Sequence, residues 1–220
     1  RQFCQHMQAH PILDPGIPLS AYRKVDLSVT NSRLGDALSG VSRCQAFLAA
    51  FLREENGQVA WGGYLEKREL YRDFKQFNPA GGQAREYHLG VDFWAGAGTG
   101  VYAPWDGTVH SWAHRTSPGD YGPVILFEHR LDNVTVYSLF GHLSIASLQG
   151  LYEGKPIRRG DLIGHLGSSG ENGGYAPHLH FQLMYHLQDF RGDYPGVCTL
   201  SDLLFFSENC PDPIQMLRYF

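Results

Sequence analysis

Two short stretches, far apart in the sequence, carry residue types that bind divalent metal ions in proteins: His88-Leu-Gly-Val-Asp92 and His178-Leu-His180. If the fold brings two imidazoles and one carboxylate together, they form a three-ligand metal site with a fourth position open for water. That arrangement is typical of a catalytic zinc ion rather than a structural one. The spacing therefore predicts a catalytic metal centre, provided that the chain folds back on itself.

The surroundings of the first stretch favour a β-strand, because Val91 and Phe93 alternate with the polar Asp92. In a straight strand, residues four positions apart share a face but lie about 13 Å from each other, which is too far for one metal ion. The backbone must therefore bend or bulge between His88 and Asp92. Gly90 lies between them and permits such a bend.

The second stretch places two imidazoles on one face of a predicted strand, while Leu179 points into the core. One ring can bind the ion, and the other then stays within reach of water or a substrate oxygen as a general acid or base. The spacing leaves open which of His178 and His180 has which role. His142 follows an apolar stretch and is a further candidate at the edge of a cleft.

After the first metal-binding stretch, short apolar runs are separated by Gly, Pro, Asp and Asn, as is typical of an antiparallel sheet. Residues 124–127 and 134–140 are predicted to form a hairpin through a connection at residues 130–133. Residues 162–163 and 180–184 are predicted to form further strands.

The N-terminal part of the chain has a different character. Prolines among polar residues predict an extended arm over residues 1–30. Apolar residues then recur from Leu34 to Leu52 at the spacing of one helical face, with Asn31 or Ser32 as the cap and Gly57 as the end.

Together these patterns predict a mainly β fold with a helical N-terminal region and a compact antiparallel β-sheet core. We expect three parts in the chain: an arm and amphipathic helix at residues 1–60, the core at residues 61–198, and a C-terminal tail at residues 199–220 that packs on the core.

Composition excludes several classes of function. The 220 residues are 43% hydrophobic, which suffices for a sizeable core, and 18 basic residues face 22 acidic ones without a long run of either sign. Nucleic acid is therefore not an expected partner. No stretch reaches the roughly 20 consecutive apolar residues of a membrane-spanning helix.

The four cysteines are expected to be buried free thiols, with disulfide pairing as the alternative. None of them forms a Cys-x-x-Cys pair, so they do not indicate a zinc knuckle. They are Cys4, Cys44, Cys198 and Cys210.

Residues 88–184 resemble the M23 family of zinc metallopeptidases, which includes LytM and lysostaphin-like enzymes. The resemblance is carried by four blocks in the family's order: His88-Leu-Gly-Val-Asp92; Val101-Tyr-Ala-Pro104 with Asp106-Gly-Thr-Val109; Tyr137 to His142-Leu143; and Ala176-Pro-His-Leu-His-Phe181. The flanking residues 61–68, 192–197 and 210–213 resemble a subgroup that also occurs as a module in fusion proteins.

The resemblance implies an antiparallel β fold with a groove over Zn²⁺, and hydrolysis of peptide bonds in peptidoglycan cross-links or glycine-rich peptides. It implies that His88, Asp92 and His180 are the metal ligands and that His142 and His178 are catalytic. A cell-wall substrate implies the cell envelope as the location. The cytoplasm is the alternative, because no signal peptide is visible at the start of the sequence, so that one is either absent or already removed.

Two other functions fit the same residues. A non-catalytic M23-like module would keep the groove and bind peptidoglycan or a peptide without cleaving it. A non-heme iron oxygenase also uses two histidines and one carboxylate. In such oxygenases, however, the carboxylate more often lies two residues after the first histidine. The sequence does not indicate how many copies assemble.

Overall fold

The computed structural model describes residues 9–71, 74, 76–131 and 134–220. In these residues the strands are β1 (Tyr22–Lys24), β2 (Val59–Gly62), β3 (Tyr87–His88), β4 (Val91–Trp94), β5 (Gly100–Tyr102), β6 (Gly107–Arg115), β7 (Gly122–Leu131), β8 (Val134–Gly141), β9 (Pro156–Ile157), β10 (Leu162–His165), β11 (His178–Met184) and β12 (Val197–Cys198). The α-helices are α1 (Val41–Glu54), α2 (Leu203–Asn209) and α3 (Pro213–Leu217). Short 3-10 helices lie at Leu19–Ala21, Ala37–Ser39 and Ile145–Leu148.

One large sheet has the strand order β1-β2-β4-β11-β8-β7-β6-β9, and its neighbouring strands are antiparallel except for β1 and β2. The predicted mainly β, antiparallel fold is therefore confirmed. The parallel edge pair has a physical reason. Parallel strands need a long crossover connection, and here the chain between β1 and β2 contains α1.

The centre of this sheet has one apolar face and one polar face. On β4 and β11, Val91, Phe93, Leu179 and Phe181 lie in the main hydrophobic core and are at most 1% exposed. The residues that alternate with them point to the other face, so the predicted orientation of Leu179 is correct. This alternation fixes the side of the sheet on which polar chemistry can occur.

Helix α1 begins later than the sequence predicts. Gly40, in an extended conformation, precedes its first residue, and Gly35 has a positive φ of 50° that interrupts a helix. Asn31 therefore does not cap the helix. Its side-chain oxygen instead accepts from the backbone N–H of Arg33. The predicted end is correct, since the N–H of Gly57 donates to the carbonyl of Leu52.

The hairpin formed by β7 and β8 is confirmed, and both strands are longer than predicted. Of its predicted connection, Asp132 and Asn133 lie outside the described residues. The predicted strands at residues 162–163 and 180–184 are present as parts of β10 and β11.

The N-terminal segment packs against the core. Ile12 and Leu13 are fully buried, and the hydroxyl of Tyr219 donates to the carbonyl of His10. The division of the chain at residues 60 and 198 stays a prediction. Cys44, Cys198 and Cys210 are buried free thiols, as expected, and Cys4 lies outside the described residues.

In the part of the chain that the structure describes, no helix combines the length and the apolar character needed to cross a membrane.

A buried histidine on β7 makes the stability of the fold depend on pH. The ring of His129 contacts the carbonyl of Asp106 and the hydroxyl of Ser138, and burial lowers its pKa to about 4. The unfolded chain takes up a proton near pH 6.5, whereas the folded protein does not do so until near pH 4. Folding stability therefore falls as the pH falls through this window.

We predict that the wild type loses about 2 kcal/mol more unfolding free energy between pH 7 and pH 5 than the His129→Gln variant. Urea unfolding of both proteins at both pH values, with a chelator present, measures this difference. An identical loss in the two proteins would show that His129 does not carry the effect.

Candidate metal centre

The structure brings together the three predicted metal ligands, which come from three strands. His88 ends β3, Asp92 lies in β4, and His180 lies in β11 directly opposite Asp92 in the strand register. The Nε2 atom of His88 is 2.8 Å from Nδ1 of His180, and Oδ1 of Asp92 is 3.2 Å from each of these nitrogens. Among the described residues, these three are the one group of side chains that places three potential ligand atoms within 4.8 Å of one another.

The predicted bend between His88 and Asp92 is confirmed. Strand β3 ends at His88 and pairs with β12, whereas β4 begins at Val91 and joins the large sheet. Gly90 lies at this change of sheet. A β-carbon there would come within 2.7 Å of the carbonyl of Phe181 and 2.9 Å of the His180 ring. A glycine is therefore needed for the close approach of the ligand ring.

Hydrogen bonds fix which nitrogen of each ligand histidine can bind an ion. Nδ1 of His88 donates to the carbonyl of Gly63, because a carbonyl only accepts. Nε2 of His180 donates to Oε1 of Gln182, whose amide nitrogen donates to the carbonyl of Pro195. The opposite nitrogens therefore carry lone pairs, and they face each other. Such partners of metal-binding histidines fix the tautomer and the orientation of the ring.

The carboxylate of Asp92 is ionised, and only one of its two oxygens accepts a hydrogen bond from the described residues. Burial opposes its ionisation, but the imidazole of His88 and the guanidinium of Arg68 outweigh burial and hold the pKa of Asp92 well below its usual range. Oδ2 accepts from Arg68, whereas Oδ1 is buried and has no hydrogen-bond partner among the described residues.

Two lone pairs and one carboxylate oxygen thus converge in a buried place, where they repel one another unless a cation lies between them. Burial lowers the pKa of His88 to about 4, so this ring does not supply the cation by taking up a proton at neutral pH. The donor set fits a divalent metal ion.

The two predicted catalytic histidines lie beside this cluster, and their ring centroids are 4.2 Å apart. Nδ1 of His142 donates to the carbonyl of Asn172, and Nδ1 of His178 donates to the carbonyl of Ala176. In both rings Nε2 is left as the accepting nitrogen, and in His178 it is 3.9 Å from Oδ1 of Asp92. Burial is the main cause that lowers the pKa of both rings, so both are neutral at neutral pH.

These five side chains line a cavity of about 350 Å³. The lining also includes residues 38–41 and Cys44, at the start of α1. Aromatic side chains form much of the remaining surface, among them Tyr71, Phe74, Phe77, Trp94, Tyr175 and Tyr194. The N-terminal part of the chain therefore contributes to the lining of this cavity.

Sequence reasoning missed two buried side chains that support the cluster. Arg68 is 1% exposed and binds Asp92, and in the sequence it stands out only as one of the flanking residues 61–68. Asn172 is fully buried; its side chain bonds the backbone of Tyr175 and its carbonyl holds His142. A buried charge or amide has no periodic sequence signal that would have identified either residue.

Comparison with protein families finds that residues 86–191 match peptidase family M23. This segment contains all five predicted site residues.

Three relatives also match part of the chain. An uncharacterized metalloprotease of Haemophilus influenzae is 35% identical over 48% of this chain and 20% of its own length. The DD-carboxypeptidase/endopeptidase Mpg of Neisseria meningitidis serogroup B is 36% identical over 43% of this chain and 19% of its own length. The peptidoglycan DD-endopeptidase ShyC of Vibrio cholerae is 29% identical over 60% of this chain and 29% of its own length. The chain thus spans less than a third of the length of each relative.

We predict that Gly90→Ala weakens metal binding by about tenfold or more, because the new methyl group displaces the ring of His180. Gly96→Ala is the matched control, since nothing lies within 4 Å of a β-carbon at that exposed position. Calorimetric titration with a divalent metal, together with thermal unfolding, measures both variants. Wild-type metal affinity in Gly90→Ala would contradict the close approach of glycine and ring.

Proposed function

We propose that this chain, whose residues 86–191 belong to peptidase family M23, is a zinc-dependent endopeptidase. The observation that carries the proposal is the convergence of three potential ligand atoms beside two further imidazoles whose Nε2 atoms can accept protons.

Zinc suits the donor set of His88, Asp92 and His180. Tetrahedral zinc with bonds of about 2.0–2.1 Å separates its ligand atoms by about 3.3 Å. The separations of 2.8 and 3.2 Å are close to this value. Two imidazoles with one carboxylate leave a position open, as in catalytic zinc sites.

A zinc ion held by His88, Asp92 and His180 would supply Lewis acidity, which would polarise a peptide carbonyl and lower the pKa of water toward about 7. The chain itself supplies the proton transfers. Nε2 of His178 accepts a proton from the attacking water, because this nitrogen is unprotonated and points toward the ligand cluster. The resulting imidazolium then donates a proton to the amine nitrogen as the peptide C–N bond breaks.

His142 supports this transfer from the side. Its ring lies 4.2 Å from that of His178, and its Nδ1–H is held by the carbonyl of Asn172. Its unprotonated Nε2 can accept a hydrogen bond from the attacking water and orient that water toward the carbonyl carbon. The left-handed backbone of His142, with φ of 63°, aims the ring into the cavity directly after β8.

We further propose that the peptide belongs to peptidoglycan, either in its cross-links or in a glycine-rich bridge. Two relatives support this choice, since Mpg is a DD-carboxypeptidase/endopeptidase and ShyC is a peptidoglycan DD-endopeptidase. Such a substrate would place the protein in the cell envelope.

Incubation with cross-linked peptidoglycan and with pentaglycine tests the proposal. We expect new amino termini to appear with at least one substrate when one equivalent of zinc is present, and to be absent after treatment with a chelator. Zinc binding with neither substrate cleaved would instead favour the non-catalytic binding module.

We predict that His178→Ala lowers kcat by about 100-fold to 10,000-fold, because it removes the proton-accepting nitrogen. Zinc stays bound, since this ring is not among the three proposed ligands. His186→Ala is the matched control, because His186 follows the same strand and is exposed. Steady-state kinetics and the zinc content of each variant are measured together. Turnover at the wild-type rate in zinc-loaded His178→Ala would refute the assignment.

A further inference from the structure

A buried arginine lies directly behind the candidate metal centre. Arg68 is 1% exposed, and its Nη1 donates to Oδ2 of Asp92 over 2.6 Å. It lies outside residues 86–191, so the family match does not include it.

The guanidinium of Arg68 is fixed on several sides. Its Nε donates to Oε2 of Glu66, whose Oε1 accepts from the backbone N–H of Leu27. Its planar face lies over the ring of Trp94, at 5.6 Å from the centroid. A guanidinium can hold two carboxylates at once because its donors form a rigid planar fork. Arg68 therefore has a set position relative to Asp92.

This contact makes the two oxygens of Asp92 different. Oδ2 is occupied by Arg68, whereas Oδ1 is free of hydrogen bonds from the described residues and lies 3.2 Å from both ligand nitrogens. A carboxylate with both oxygens free can bind a metal through one or two oxygens. With Oδ2 occupied, only Oδ1 is available.

The same segment also supports a second ligand. The carbonyl of Gly63 holds Nδ1 of His88, and the N–H of Arg68 donates to the carbonyl of Glu86. Gly63 has a φ of 107°, and a β-carbon there would overlap the guanidinium of Arg68. Gly63 and Arg68 thus orient two of the three proposed ligands, on the side away from the other ligand atoms.

We infer that Arg68 is a positioning residue, which makes Asp92 a one-oxygen metal ligand and holds Oδ1 in place before the metal binds. The inference rests on the proposed zinc site. It assigns a function to a segment that precedes the family match.

Two variants test the inference. Arg68→Met removes both the charge and the donors, whereas Arg68→Lys keeps the charge without the planar fork. Lys67→Met is the matched control, because it removes the neighbouring cation, whose partly exposed ammonium pairs with Glu86. Zinc affinity is measured by competition with a chelating dye. The visible absorption of the Co²⁺-substituted protein reports the coordination number.

We predict that Arg68→Met binds zinc about 10-fold to 100-fold more weakly. Its Co²⁺ absorption should weaken as Oδ2 becomes a second ligand atom. Arg68→Lys should lie between Arg68→Met and the wild type in both measurements, since an ammonium cannot reproduce the paired hydrogen bonds. Lys67→Met should stay within about twofold of wild-type affinity, because its ion pair is partly exposed.

Thermal unfolding in a chelator shows which variants are folded. If Arg68→Met is unfolded, the zinc affinity and Co²⁺ spectrum of Arg68→Lys alone test the inference. Lysine keeps a positive charge beside the carboxylates of Asp92 and Glu66. A folded variant of either kind with wild-type zinc affinity and an unchanged Co²⁺ spectrum would overturn the inference. These readouts need no substrate. A failure to cleave peptides would therefore count against the proposed function and leave the role of Arg68 standing.

Discussion

The structure depends on one electrostatic constraint, which is the convergence of two imidazole lone pairs and a carboxylate oxygen in a buried place. Without a cation, these atoms repel one another at separations of 2.8 and 3.2 Å. The hydrogen bonds around them do not relieve the repulsion. Each of those bonds occupies the far side of its group and directs the remaining electron pair inward. A bound metal ion would satisfy all three atoms at once.

The sheet makes this convergence possible through its register. Because His180 lies opposite Asp92 on β11 and β4, two ligands meet as a cross-strand pair. The chain then changes from one sheet to another between His88 and Asp92, which brings the third ligand inward. The opposite face of the same strands is packed with buried apolar side chains, so a slip of one residue would bury the ligands in the core. The hydrophobic core therefore specifies the geometry of the candidate metal centre.

Much of this arrangement could be predicted from the sequence, since it depends on local patterns. Alternation around Asp92 and Leu179 gave the faces of two strands, and Gly90 indicated the bend. The start of α1 could not be predicted, because Gly40 and the turns before it override the helical periodicity from Leu34. The role of Arg68 could not be predicted either. Its role follows from contacts with Asp92 and Glu66 that only the folded chain creates.

The contribution of residues 38–41 to the cavity could not be predicted from the sequence either. Residues 38–41 reach the cavity because α1 lies in the crossover between two parallel strands, and no short motif encodes that path. Local motifs thus provide the candidate metal ligands and catalytic histidines. Segments distant in sequence hold these residues in position and line the cavity around them.

The most direct test of this account is a crystal structure of the zinc-loaded protein with anomalous diffraction data collected on both sides of the zinc absorption edge. The account predicts a single strong zinc peak bound by Nε2 of His88, Oδ1 of Asp92 and Nδ1 of His180, with Oδ2 of Asp92 still bound to Arg68. Zinc bound elsewhere, or bound without Asp92, would contradict it.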